Sequence, residues 1–361
     1  MFESQSGNFT VSQLYRRSRR RSTCRRCHAM KLMNEQDQRI YREELAPYLP
    51  HRIFDAHVHV FGKDFFPPDF AFAPLSVYNK FGGEFPLELW RELMHEILPE
   101  QEVWLNCFST PNLKMNRDCV PAVNRKTEFG MVVVSPADAP EDMIRRIEAA
   151  RAVGVKPYLN FAADHYGKKA NDVEIRDMLT PGQLEYLNAK GLAITLHIPR
   201  SGRFADPVNQ RQMVEICEKY PNIKIIFAHI GRAYFMRNIL DSNIDELAKF
   251  PNAYFDTAMV NSAEIMRYAA DHFPAERILF GTDSPIALLR GKSVEINNQY
   301  AYLMGENYKI GTAIIDTDGA VKFTTFFYEQ LRAVIAAFPG AALENVLFNN
   351  AKQLFTGISR S

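Results

Sequence analysis

Cysteine is scarce in this chain. Its 361 residues include only Cys24, Cys27, Cys107, Cys119 and Cys217. An odd, scattered set is no disulfide framework and points to a reducing compartment, so a cytoplasmic location is expected. No apolar run approaches the roughly 18 residues that a membrane-spanning helix needs, and no apolar stretch of a signal peptide follows the N-terminal arginines. An excess of one charge is also missing: 43 Lys and Arg face 42 Asp and Glu, a net charge of +1. Nucleic-acid binders usually carry a larger basic excess, so neither a specific nucleic-acid partner nor a membrane is expected. A hydrophobic content of 47% with 24% charged residues excludes a disordered or fibrous chain.

The charge that is present is unevenly placed. Residues 1–33 hold eight basic residues and one acid, a net charge of +7, which leaves −6 for the remainder. This arm lacks hydrophobic periodicity and reads as disordered on its own, with 34–361 as one folded unit. Cys24, Cys27 and His28 lie close together, but no second ligand pair with zinc-site spacing follows them. The acid-poor, Arg- and Ser-rich composition also fits an organelle transit peptide as a second reading.

From residue 53 onward, short apolar runs alternate with amphipathic stretches. The runs cover 53–61, 103–108, 129–135, 153–161, 192–198, 223–229, 253–257 and 278–281. Such runs suit strands buried on both faces of a parallel sheet. Helical patterns separate them over 86–98, 141–153, 181–189, 207–220, 234–250 and 262–273, with two more over 325–338 and 344–355. Thr180-Pro181 and Asp206-Pro207 read as N-caps followed by a first-turn proline, and Gly191 as a helix stop. Eight βα units over about 300 residues predict a (β/α)8 TIM barrel. Residues 62–84 and 284–322 are long insertions after strands one and eight, on the face where barrel active sites lie.

The histidines carry the chemical signal. His57 and His59 sit two apart on strand one, so both point to the same side. His197 ends strand five, His229 ends strand six and Asp283 ends strand eight. Three imidazoles and a carboxylate at strand C-termini suit Zn²⁺ or a similar divalent ion with an open position for water. His57, His59, His197 and Asp283 are the expected ligands. Asp283 and His229 are the expected catalytic groups, and Asp55 and Asp256 the expected supports that orient them.

These motifs in combination resemble the amidohydrolase superfamily. They are Asp55-Ala56-His57-Val58-His59, Thr195-Leu196-His197, Phe227-Ala228-His229-Ile230-Gly231, Phe280-Gly281-Thr282-Asp283-Ser284-Pro285 and Glu344 to Ala351. The likeness runs over about 51–357 and is strongest to the amidohydrolase-related branch. That branch includes aminocarboxymuconate semialdehyde decarboxylase, resorcylate-type decarboxylases and dicarboxylate lactonases. The resemblance implies metal ligation by His57, His59, His197 and Asp283 and catalysis by His229. Binuclear relatives carry a carboxylated lysine at the end of strand four. Here Lys156 reads as a strand-entry residue and Asn160 or Ala162 as the end, so one divalent ion, with zinc foremost, is expected.

A site of this kind lowers the pKa of water and polarises a carbonyl. The sequence-based expectation is a hydrolase of a small carboxylate-bearing amide, ester or lactone. Nonoxidative decarboxylation of an aromatic or unsaturated acid on the same ligands is the alternative. Arg200 and Arg232 each lie three residues beyond a site histidine and are expected to clamp an anionic substrate. Tyr300 and Tyr302 are expected to close over it, with Phe65 and Phe66 weaker candidates. A homodimer is compatible with the chain.

Overall fold

The apolar runs do become strands, and their order is the order of the chain. The computed structural model describes residues 31–360. Cys24, Cys27, His28 and nearly all of the expected disordered arm lie outside the described residues. Strands β1 (Arg52–His59), β2 (Glu102–Phe108), β3 (Glu128–Val134), β4 (Gly154–Pro157), β5 (Ala193–Leu196), β6 (Lys224–Phe227), β7 (Ala253–Asp256) and β8 (Ile278–Leu279) form one sheet in the order β1 to β8. Every neighbouring pair is parallel.

The seam closes just beyond β8. The Ala56 N–H donates to Phe280 O at 2.9 Å, Asp283 N–H to His57 O at 2.8 Å, and His59 N–H to Ser284 O at 2.8 Å. Gly281 permits that approach, since a Cβ there would stand 2.8 Å from His57 Cβ. The result is a TIM barrel.

Helices cover the outside for the reasons their sequences give. Leu87–Ile97 buries Leu87, Trp90, Leu93, Met94 and Ile97, one stripe of a 3.6-residue repeat. Pro181–Lys190 starts with a Thr180–Gln183 capping box and stops at Gly191, which has φ +63°. Pro207–Lys219 is capped by the Asp206 carboxylate, which accepts the N–H groups of Val208 and Asn209. No helix among the described residues is long and apolar enough to cross a membrane.

Three elements depart from the sequence pattern. The fourth run is strand only to Pro157, after which Leu159–Tyr166 is helical. Proline ends the ladder because it has no N–H to donate. The stretch 234–250 holds two short helices, Met236–Leu240 and Ile244–Leu247, because the polar turn Asp241-Ser242-Asn243 interrupts it. The closing pattern is Ala341–Glu344, a π-turn over Asn345–Asn349 and a helix over Asn350–Arg360.

Both insertions have structure of their own. In the first, Phe61, Phe66, Phe70, Phe72 and Tyr78 pack with ring centroids 4.4–6.0 Å apart. Phe65 and Phe66 are buried there, so they belong to a local core and not to a closing flap. The second contains β9 (Gly291–Ile296), β10 (Gln299–Met304) and β11 (Ala313–Ile315), in the order β11-β10-β9.

The beginning of the described chain is fastened to this insertion. Leu32 and Met33, placed in the arm by composition, are buried, and their N–H groups donate to the Glu96 carboxylate. The fully buried Asp37 pairs with Arg290 at 2.6 Å and accepts the Thr324 hydroxyl at 2.7 Å. Arg290 also donates to Leu32 O at 2.6 Å.

Candidate metal centre

At the C-terminal mouth lies a cavity of about 350 Å³, lined by His57, His59, His197, His229, Asp283 and Lys156. Tyr78, Tyr158 and Tyr234 form its aromatic side. A larger depression of about 630 Å³ sits at the opposite mouth, beside Gly191, Lys224 and Tyr254, and no histidine lines it. Functional groups in this architecture gather at the strand C-termini, and the smaller cavity is the chemical one.

Two strand ends carry unusual backbone. His229, Ile230, Gly231 and Arg232 have φ of 60°, 49°, 62° and 61°, a short left-handed turn. That conformation costs roughly 1–2 kcal/mol per non-glycine residue and needs restraint from its surroundings. Asp256 supplies part of it: Oδ1 accepts the His229 N–H at 2.7 Å and the Ala258 N–H at 3.1 Å. Asp283 is also left-handed, at φ 70°.

The hydrogen bonds fix which imidazole nitrogen is free. His57 Nδ1 lies 2.9 Å from Asp256 Oδ2, His59 Nδ1 3.0 Å from Ser109 O, and His229 Nδ1 2.9 Å from Ala258 O. Each partner is an acceptor, so each Nδ1 carries the proton, which leaves Nε2 of His57 and His229 with a lone pair, while Nε2 of His59 stands within hydrogen-bond distance of Asp283. Burial pulls His57 down to about 4 against the influence of Asp256, which keeps the ring neutral near pH 7. Burial would raise Asp256, but His57 and His229 outweigh it and bring the carboxyl to about 2.

The free lone pairs converge. His59 Nε2 lies 2.8 Å and His57 Nε2 3.5 Å from the same Asp283 Oδ1. Ligand atoms of His57, His229 and Asp283 all fall within 4.8 Å of one another. Neutral imidazole lone pairs facing a carboxylate oxygen repel unless a cation or proton stands between them. The donor set therefore fits a divalent ion held by His57, His229 and Asp283, with His59 beside it. His229, expected as a catalytic group, thus belongs to the converging atoms. His197 lines the cavity with its ring 5.3 Å from that of His229, and it has no hydrogen-bond partner among the described residues.

Asp55 sits lower and serves the seam. It accepts Thr282 N–H at 2.8 Å, Thr282 Oγ1–H at 2.6 Å and His57 N–H at 3.2 Å. It touches backbone and hydroxyl, not an imidazole ring, whereas Asp256 touches the ring of His57 directly.

Lys156 differs from its sequence reading. With β4 ending at Pro157, Lys156 is the next-to-last strand residue, 1% exposed and facing the cavity. Its ammonium lies 4.7 Å from the Phe108 ring and 5.4 Å from the Tyr158 ring. Burial draws it down to about 8, although Asp256 and Asp283 pull the other way. Ala162 is buried in the following helix instead of ending the strand. The ground for expecting a single ion, a lysine at the strand entrance, is thereby removed.

The expected substrate arginines are engaged elsewhere. Arg200 Nε pairs with Asp206 Oδ1 at 2.9 Å, so it supports a helix cap. Arg232 Nη1 donates to Ile198 O, Pro199 O and Arg200 O at 3.0, 3.3 and 3.1 Å, which braces the loop after His197. Tyr300 stacks on Tyr234 at 4.9 Å, and Tyr302 meets Tyr300 edge-on at 5.3 Å, so both stand behind the Tyr234 wall. Arg203, which no sequence signal singles out, lies 4.5 Å from the Tyr300 ring and 5.5 Å from the Tyr234 ring.

Comparison with known proteins agrees with the fold. The family described as Amidohydrolase matches residues 54–303, well over half of the chain. No curated protein sequence matches. Among solved structures, an apo protein of Agrobacterium tumefaciens is similar with a TM-score of 0.52 and 14% identity, over 86% of this chain and 98% of that one. The 5-carboxyvanillate decarboxylase of Sphingomonas paucimobilis also gives 0.52 at 14% identity, over 85% and 99%. IDCase of Metarhizium anisopliae gives 0.51 at 14% identity, over 84% and 97%. At these identities the likeness is one of fold. The matching family is metal-dependent and includes both hydrolases and decarboxylases. This chain belongs to the amidohydrolase family.

Proposed function

We propose that the chain is a metal-dependent hydrolase of a small carboxylate-bearing amide, ester or lactone. The observation that carries this reading is the meeting of imidazole Nε2 atoms on Asp283 Oδ1 at the barrel mouth. A divalent ion, zinc foremost, supplies Lewis acidity toward a substrate carbonyl and makes water a stronger acid. Asp283 Oδ2, bonded to no described residue, accepts the proton of the attacking water and returns it to the leaving group. His197 faces the bound molecule as a donor to its oxygen atoms. Lys156 adds a positive charge with no carboxylate within ion-pair distance among the described residues, which favours an anionic substrate.

A second reading is nonoxidative decarboxylation, with Asp283 passing a proton taken from water to the carbon that loses carbon dioxide. The aromatic wall of Tyr78, Tyr158 and Tyr234 around Lys156 favours it, since it suits an aryl acid. A solved relative that is a 5-carboxyvanillate decarboxylase points the same way. Elemental analysis followed by a panel of lactones, amides and aryl acids in ¹⁸O-water separates the two. Label in the organic product with no carbon dioxide supports hydrolysis, and carbon dioxide with an unlabelled organic product supports decarboxylation. Preparations with no stoichiometric divalent ion, or full turnover after chelation, would overturn both.

A further inference from the structure

We infer that the side-chain amine of Lys156 is a nucleophile that forms an imine with a β-keto acid bound in the barrel-mouth cavity, a covalent route to decarboxylation beside the metal chemistry. This goes beyond the hydrolase reading above and needs no ion. Lys156 is the only buried lysine among the described residues. Its side chain lines the cavity, yet it makes no hydrogen bond and no ion pair to any described residue. Lys80 and Lys168, by contrast, are each paired with a carboxylate, Glu306 at 2.8 Å and Asp177 at 2.6 Å. A lysine enclosed for structural reasons is normally paired in that way.

The neighbours of Nζ are aromatic instead. The Phe108 ring lies at 4.7 Å and the Tyr158 ring at 5.4 Å. Burial without a partner anion disfavours the charged ammonium and favours the neutral amine. The neutral form holds the lone pair that attacks a carbonyl carbon, and desolvation is a recurrent means of activating a lysine for that attack.

The remaining steps use Asp283, which lines the same cavity. Nζ adds to the keto carbon. The resulting carbinolamine takes a proton from solvent and loses water, which gives the protonated imine. The bond to the carboxylate carbon then breaks, carbon dioxide departs, and the electron pair passes to the iminium nitrogen as an enamine forms. Asp283 passes a proton from water to the enamine carbon. Water adds to the iminium so formed, a ketone leaves and the amine returns. The sum is a β-keto carboxylate and a proton giving a ketone and carbon dioxide, with no oxidant or reductant consumed.

The test incubates the full chain, metal-loaded and chelated, with acetoacetate, adds sodium borohydride, and maps peptides by mass spectrometry. An N-isopropyl group on Lys156 is expected in both preparations, and without borohydride carbon dioxide is released. Lys156→Arg keeps a cation but forms no imine, and Lys156→Met keeps neither. In both, with Tm confirming the fold, release of carbon dioxide should fall to the rate in buffer. An unmodified Lys156, label spread evenly over surface lysines, or release that persists in either folded variant overturns the proposal. If Lys156 only attracted anions, Lys156→Arg would match the wild type and no adduct would form. Failure of the metal-dependent reading shows separately, as wild-type protein that lacks bound ion and still forms the adduct.

Discussion

Lys156 concentrates the electrostatic tension of the site in one side chain. Burial lowers its proton affinity from the ordinary 10.5 to about 8. Between pH 8 and 10.5 the unfolded chain therefore holds a proton that the folded chain has released. The group destabilises the fold most below that window, and the penalty of about 3 kcal/mol fades as pH rises through it. In metal-free protein, Lys156→Met should be stabilising near pH 7.5 and nearly neutral near pH 10.5. Urea titrations at both values check this, and an equal difference at the two pH values would contradict it. The placing of Lys156 was not legible in the sequence, because 153–161 is mostly apolar on both sides of it and a short run of that kind reads alike as strand or buried helix. His57 and His59 were legible, since alternation along a strand fixes their common side. Arg203 was not: Arg200 and Arg203 both have left-handed backbone, φ 60° and 56°, which decides where each side chain goes and leaves no trace in residue spacing.

Among the elements, the turn from Ala228 to Arg232 is the one most constrained by its neighbours. Gly231 has φ +62°, and a Cβ there would lie 2.9 Å from the Phe204 ring. Gly231→Ala should therefore destabilise the protein by about 1–3 kcal/mol, through both the backbone and the contact. Adding Phe204→Leu should recover only the contact part. Denaturant midpoints for the single and double variants measure the split, and an alanine variant as stable as wild type would show that the turn relaxes freely. The barrel rhythm was readable because eight apolar runs each carry their own stop signals. The left-handed turn was not, because His229 and Ile230 have no intrinsic leaning toward that conformation and Asp256, 27 residues away, holds His229 in it. The double break of 234–250 turned on Asp241, Ser242 and Asn243, a polar turn inside an otherwise helical repeat.

For the whole molecule, the link between the start of the described chain and the second insertion joins residues more than 250 positions apart. Asp37 is fully buried, and its carboxylate is bonded to Arg290, the Thr324 hydroxyl and the Asn34 N–H. Arg290→Met should leave that carboxylate without its cation and cost about 3–5 kcal/mol. Asp37→Asn combined with Arg290→Met should recover part of the loss, and thermal unfolding of both variants reads the difference. A single variant with unchanged Tm would show that the pair adds nothing. Composition alone could not mark Leu32 and Met33 as part of the folded body, because their partner Glu96 lies over 60 residues further on. The barrel seam has a wider meaning. The carbonyl of His57 and the N–H of Asp283 join the first strand to the segment after the last, and the side chains of the same two residues reach into the cavity. An ion held by those side chains would brace the same seam from inside, so loading the centre is expected to add to the stability of the closed ring.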